Sequence, residues 1–184
     1  MPTLNTQLLI AELSQQTQDL LTMVEQWNSL PVSLLNSQPQ PNKWSPLQCI
    51  EHLNIYGRYY LPAIEKGINN AQYAPKPTFT PGWLGNYFVE SIKLPKNGTP
   101  SKPMKTLKSY NPNKLLDKQQ VISEFLIQQE QLLELLEASK KVNLEKIRIP
   151  ISINRLIKIR LGDCLRFVIY HNQRHFQQAL KAMQ

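Results

Sequence analysis

Tyr170-His171-Asn172-Gln173-Arg174-His175-Phe176 lies in an apolar run close to the C-terminus of the chain. Around it, Leu161, Cys164, Leu165, Val168, His171, His175 and Ala179 recur at helical spacing. That period marks one face of an α-helix, predicted from about residue 161 to residue 182, with Asp163 favouring its first turn. Both histidines fall on the apolar face. The chain has one other histidine, His52, and it sits on a second seam of the same kind: Cys49, His52, Leu53, Tyr56, Tyr59, Tyr60 and Ala63. The start of that helix is clearly marked. Ser45 is placed as N-cap, Pro46 takes the first helical position, and Gln48 completes a capping box.

The remaining elements follow from period and punctuation. Residues 4–28 read as a first helix, with Leu9, Leu13, Leu20, Val24 and Trp27 as its stripe. Pro31 ends it, and Leu34 and Leu35 allow one further turn. A third long helix begins at an Asp117 cap with Gln120 as its partner. Its stripe is Ile122, Phe125, Leu126, Leu132, Leu133 and Leu136, and it ends near Lys140. Between them, residues 69–116 carry Pro75, Pro77, Pro81, Pro95, Pro100, Pro103 and Pro112, the composition of a long connection. Within it, residues 83–92 are predicted as a short helix that docks through Trp83, Leu84, Tyr87 and Phe88. Residues 147–159 switch to alternation, with Ile147, Ile149, Ile151 and Ile153, and suggest a two-stranded excursion turning near Asn154. The expectation is an all-α, four-helix bundle forming a single domain over residues 1–184. The long crossover lets the second and third helices run parallel.

Composition bounds the function. The 184 residues are 41% hydrophobic and carry a net charge of +8. No apolar run approaches the ~20 residues of a membrane span, and the N-terminus lacks the features of a signal peptide. Only two cysteines occur, Cys49 and Cys164, both in apolar helical surroundings. That pattern suits a reducing, cytoplasmic setting. The positive charge concentrates in two stretches. Residues 93–118 hold seven lysines against Asp117, and residues 140–166 hold eight basic residues against Glu145 and Asp163. Such clusters attract nucleic acid, anionic lipid or an anionic small molecule. No nucleic-acid motif accompanies them, and the plainer reading is a solvated basic face.

The histidines carry the chemistry. Residues at i and i+4 stand one above the other on a helix, ~6 Å apart at Cβ. Two imidazoles so placed can converge on one divalent ion, and a third from a facing helix completes a facial set with open positions. Glu51, Asn54 and Gln178 are candidates to orient the outer ring nitrogens. Tyr56, Tyr59 and Tyr60 are candidates to line the pocket or to pack in the core. The competing reading is that each histidine is a core residue satisfied without metal; a single His-x-x-x-His pair is weak evidence alone. What distinguishes this chain is that every histidine falls on a core seam.

Two segments resemble one known family. Gln40-Pro41-Asn42-Lys43-Trp44-Ser45-Pro46-Leu47-Gln48-Cys49-Ile50-Glu51-His52-Leu53 is similar to the second-helix signature of the DinB-like (DNA-damage-inducible) family. The stretch from Leu161-Gly162-Asp163 through His171-Asn172-Gln173-Arg174-His175-Phe176-Gln177-Gln178 is similar to its last-helix signature. The resemblance implies a four-helix bundle of up-down-down-up topology, often a homodimer, with a three-histidine site for nickel or zinc. His52, His171 and His175 match the ligand positions. It further implies a metal-dependent hydrolase, or a transferase using a low-molecular-weight thiol, acting on a small-molecule substrate. A non-catalytic stress-response or binding protein that keeps the bundle is the rival. With the second and fourth helices antiparallel, Cys49 and Cys164 stand on the order of 15 Å apart along the axis, so no disulfide is expected. Cys49, one turn before His52, is read as core packing, with approach to the metal the alternative.

Overall fold

Ser45 sets the frame. Its hydroxyl accepts from Gln48 N while its own N–H donates to Gln48 Oε1, so both halves of the capping box form. The computed structural model describes residues 2–94 and 107–184; Pro95, Pro100, Pro103 and part of the first lysine cluster lie outside the described residues. In chain order the elements are β1 (Leu4–Asn5), α1 (Thr6–Glu25), a 3-10 turn (Gln26–Ser29), α2 (Val32–Asn36) and α3 (Pro46–Asn69). There follow β2 (Thr78–Phe79), α4 (Trp83–Ile92), a 3-10 turn (Lys108–Tyr110) and α5 (Lys118–Ser139). The chain closes with β3 (Arg148–Pro150), β4 (Lys158–Arg160) and α6 (Leu161–Ala182).

The long helices pair through named contacts. On α3 and α5, Asn54 Nδ2 donates to Val121 O and Arg58 pairs with Glu124, so the two helices advance together. On α3 and α6 the order is reversed: Trp44 meets His175 and Tyr60 meets Phe167, so they run antiparallel. Lys118 Nζ donates to the carbonyls of Asn28 and Leu30, which joins the start of α5 to the end of α1. Two apolar clusters form the core. One gathers Leu9, Leu13, Ile64, Leu132, Leu165 and neighbours; the other gathers Leu20, Val24, Ile50, Phe125, Phe176 and neighbours. Cys164 belongs to the first and Cys49 to the second, and both thiols are free.

The hairpin forms where alternation placed it. Ile149 pairs with Ile159, and Ile157 N donates to Asn154 O across the turn. A second ladder was not foreseen: Leu4 pairs with Phe79 and Asn5 with Thr78, so the N-terminus is extended there and α1 starts at Thr6. Asn5 caps α1, its side chain accepting from Leu8 N.

The short helix α4 has the expected bounds and docks through two of the four expected residues, Leu84 and Phe88. Trp83 and Tyr87 are 76% and 65% exposed, whereas Gly85, Val89 and Ile92 are buried and Leu84 and Phe88 half-buried. The reason is Asp163, fully buried on α6. Its carboxylate accepts from Gly82 N at 2.8 Å and approaches Arg166 Nη1 at 3.4 Å. Gly82 caps α4, so the carboxylate also meets the positive end of that helix. Gly85 packs directly on it: a Cβ there would lie 2.5 Å from Asp163 Cβ. Gly85→Ala is therefore expected to lower stability by about 1–3 kcal/mol, read as a shift of the urea midpoint. An unchanged midpoint would show that α4 does not seat on Asp163.

Candidate metal centre

α3 and α6 bring His52, His171 and His175 together between the two apolar clusters. One ligand-capable nitrogen from each lies within 4.8 Å of the others. Ring centroids are 4.5 Å apart for His52–His175 and for His171–His175, and 5.1 Å for His52–His171. His52 and His171 are buried, while His175 is half-buried and opens on a cavity.

The hydrogen-bond partners fix which nitrogen faces the centre. His52 Nδ1 lies 2.8 Å from Tyr110 O. A carbonyl only accepts, so Nδ1 carries the hydrogen and Nε2 keeps its lone pair. That Nε2 points at His171 Nε2, 3.3 Å away. His175 Nδ1 lies 3.0 Å from Gln178 Oε1, which by the same reasoning leaves its Nε2 as a lone pair. Burial pushes the His52 imidazolium down to about 4 and that of His175 to about 3; His171, the most enclosed, is held well below its ordinary value. All three rings are neutral at pH 7. Three neutral imidazoles with converging nitrogens, two of them held at the outer nitrogen by an oxygen acceptor, are a donor set that fits a divalent ion.

The outer partners differ from the candidates read in the sequence. Gln178 meets His175. Glu51 instead faces Arg58 at 3.0 Å, and Asn54 donates to Glu51 and to Val121 O. Both lie on the α5 side of α3, so neither reaches a histidine. The partner of His52 is the main-chain carbonyl of Tyr110, which no side-chain pattern could reveal. Trp44, whose place one residue before the α3 cap suggests only a hydrophobic staple on Cys49, also stands at the site. Its ring lies 4.7 Å from His52 and 5.8 Å from His175.

A cavity of about 700 Å³ opens from the histidines. Tyr56 and Tyr60 line it, and the Tyr56 ring packs 4.3 Å from that of His171. Tyr59 does not line it; its hydroxyl donates to Ile151 O and its ring carries Arg155. Cys49 is fully buried, its thiol pushed up to about 12, outside the set of nitrogens that converge.

A family model described as the DinB superfamily matches residues 9–179. No curated protein and no solved structure matches the chain.

The buried imidazoles set a pH signature for metal-free protein. His52 and His175 titrate near 6.5 when unfolded and near about 4 and about 3 when folded. Between those values the unfolded chain binds the extra protons. Stability therefore rises with pH in that window and is lost as pH falls from 6.5, by up to about 1.4 kcal/mol per pH unit for each ring. Urea midpoints between pH 7.5 and 4.5 measure it, with His52→Gln flattening the profile. Identical profiles for the two proteins would contradict the burial of an uncharged ring at position 52.

Proposed function

The chain belongs to the DinB superfamily, and from that premise we propose that it is a metal-dependent enzyme, a hydrolase or a thiol-dependent S-transferase acting on a small molecule. His52, His171 and His175 hold one divalent ion, nickel or zinc, on the wall of the cavity. The observation that carries this is the convergence of three neutral imidazoles where the cavity meets the core. A divalent ion there supplies Lewis acidity, which brings the deprotonation of a water or a low-molecular-weight thiol toward neutral pH.

The chain's own residues do the rest. Tyr110 O and Gln178 Oε1 orient two of the rings and fix their tautomers. Trp44 packs on His52 and His175, and Tyr56 on His52 and His171, so aromatic rings cover part of the imidazole surface. The arrangement belongs to a single domain in which α1, α3, α5 and α6 form an up-down-down-up bundle. The pairing of α3 with α5 in parallel and with α6 in antiparallel sense supports this. We place the protein in the cytoplasm, and assembly as a homodimer is compatible with it. No helix among the described residues is long and apolar enough to cross a membrane.

One observation favours a second reading. Among the described residues, three cations and no Asp or Glu line the cavity, so the walls offer no carboxylate as general base. A non-catalytic stress-response or binding protein that keeps the bundle would need none.

Elemental analysis of the purified protein tests the site. About one divalent ion per chain is expected, falling at least tenfold in His171→Ala and His175→Ala with helical content retained. Full retention of metal in both variants would refute the ligand assignment.

A further inference from the structure

The cavity is elongated and its two ends differ. Because α3 and α6 run antiparallel, the Trp44 end of α3 faces residues 177–182 of α6, and the Tyr60 end faces Phe167. From residue 167 to residue 182 of α6 the wall extends roughly 22 Å. The histidines lie between the ends.

At the first end Gln40, Lys43, Gln177 and Lys181 line the space beside the ring of Trp44. Neither lysine has a carboxylate within 4.0 Å among the described residues. Arg174, 8% exposed, adds a third cation to the wall, with Nη1 directed at Ile92 O. Among the described residues no Asp or Glu lines the cavity. A concave, low-dielectric wall lined by one sign of charge concentrates its field on whatever enters.

At the second end the lining is apolar: Phe88, Ile151, Ile159 and Phe167, with the ring of Tyr60. The polar tip of Tyr60 is already engaged. Its hydroxyl donates to Ser152 Oγ and accepts from Ser152 N. It therefore presents ring carbons to the space, with no polar group to satisfy.

We propose that this cavity takes an amphipathic anion, with its charged group between Lys43 and Lys181 and its apolar body among Tyr60, Phe88 and Phe167. The reacting atoms then fall at the histidines. That placement rests on the reading under Proposed function, but the binding itself does not need the ion. A ligand of this shape uses both ends at once: the cations compensate its charge, and burial of its chain supplies the affinity. The volume lies within the range of small-molecule pockets.

Calorimetric titration with octanoate, butyrate and octanamide tests this on purified protein of measured metal content. Octanoate is expected to bind, with affinity rising about fourfold per methylene from butyrate upward. Octanamide, equal in length and uncharged, is expected to bind at least tenfold more weakly. The double variant Lys43→Glu/Lys181→Glu, at two exposed positions that leave the fold intact, should weaken octanoate at least tenfold and leave octanamide unchanged. Absence of octanoate binding overturns the proposal. So does equal affinity for octanoate and octanamide, or for octanoate and butyrate. Octanoate binding that His171→Ala abolishes and the charge reversal spares also overturns it, because the carboxylate then sits on the metal. Should the protein hold no metal, the enzymatic reading falls, while the contrast between octanoate and octanamide still decides this one.

Discussion

Three imidazoles shut into one layer of a helical interior must each find partners for two nitrogens, and the middle of this protein is arranged around that requirement. A buried polar group left without a partner costs about 1–3 kcal/mol. Tyr110 O and Gln178 Oε1 answer for two of the outer nitrogens. The inner ones are aimed at each other, and the 3.3 Å contact between His52 and His171 needs one of them to donate. A cation in their midst relieves that demand by accepting every lone pair. Other polar groups on the long helices are handled at similar depth. Thr17 bonds back to Leu13 O, and Asn172 donates to Gln129. Apolar clusters then close on both sides.

The cavity is the other product of this arrangement. Elements from outside the long helices, α4 and the β3–β4 hairpin among them, supply part of its lining. α4 is held by the buried carboxylate of Asp163, and the β3–β4 hairpin is held by the hydroxyls of Tyr59, Tyr60 and Tyr110 on Ile151 and Ser152. Three tyrosines thus spend their polar atoms on fastening a hairpin and leave ring surface elsewhere. The result is a space with one greasy arm and one charged arm, and the histidines sit where the two meet. The cations in its lining, Lys43, Arg174 and Lys181, lie outside both basic clusters of the sequence.

Much of this was legible in the chain because its signals are local. Ser45-Pro46 with Gln48 marks one helix start, the alternating isoleucines mark the hairpin, and the periodic seam bounds α6 at both ends. His52, His171 and His175 could be brought together on paper because seam positions on facing helices must meet. What stayed hidden is non-local. The Leu4–Phe79 ladder joins two-residue strands far apart in sequence, below the length at which alternation can be seen. Trp83 and Tyr87 looked like anchors because large aromatics usually are; a buried aspartate opposite Gly85 turned the helix the other way. Glu51 and Asn54 stood near His52 in sequence but project toward α5.

The contact between His52 and the Tyr110 carbonyl has an evolutionary corollary. The atom that steadies the ring belongs to the main chain, so any residue type at position 110 can provide it. The imidazole itself places no demand on the side chain there; what favours a tyrosine is its hydroxyl on Ser152 O and its ring against Tyr56. For the imidazole, selection acts instead on chain length and path between α4 and α5, since an insertion or deletion that displaces this peptide unit unmoors the ring where a substitution would not.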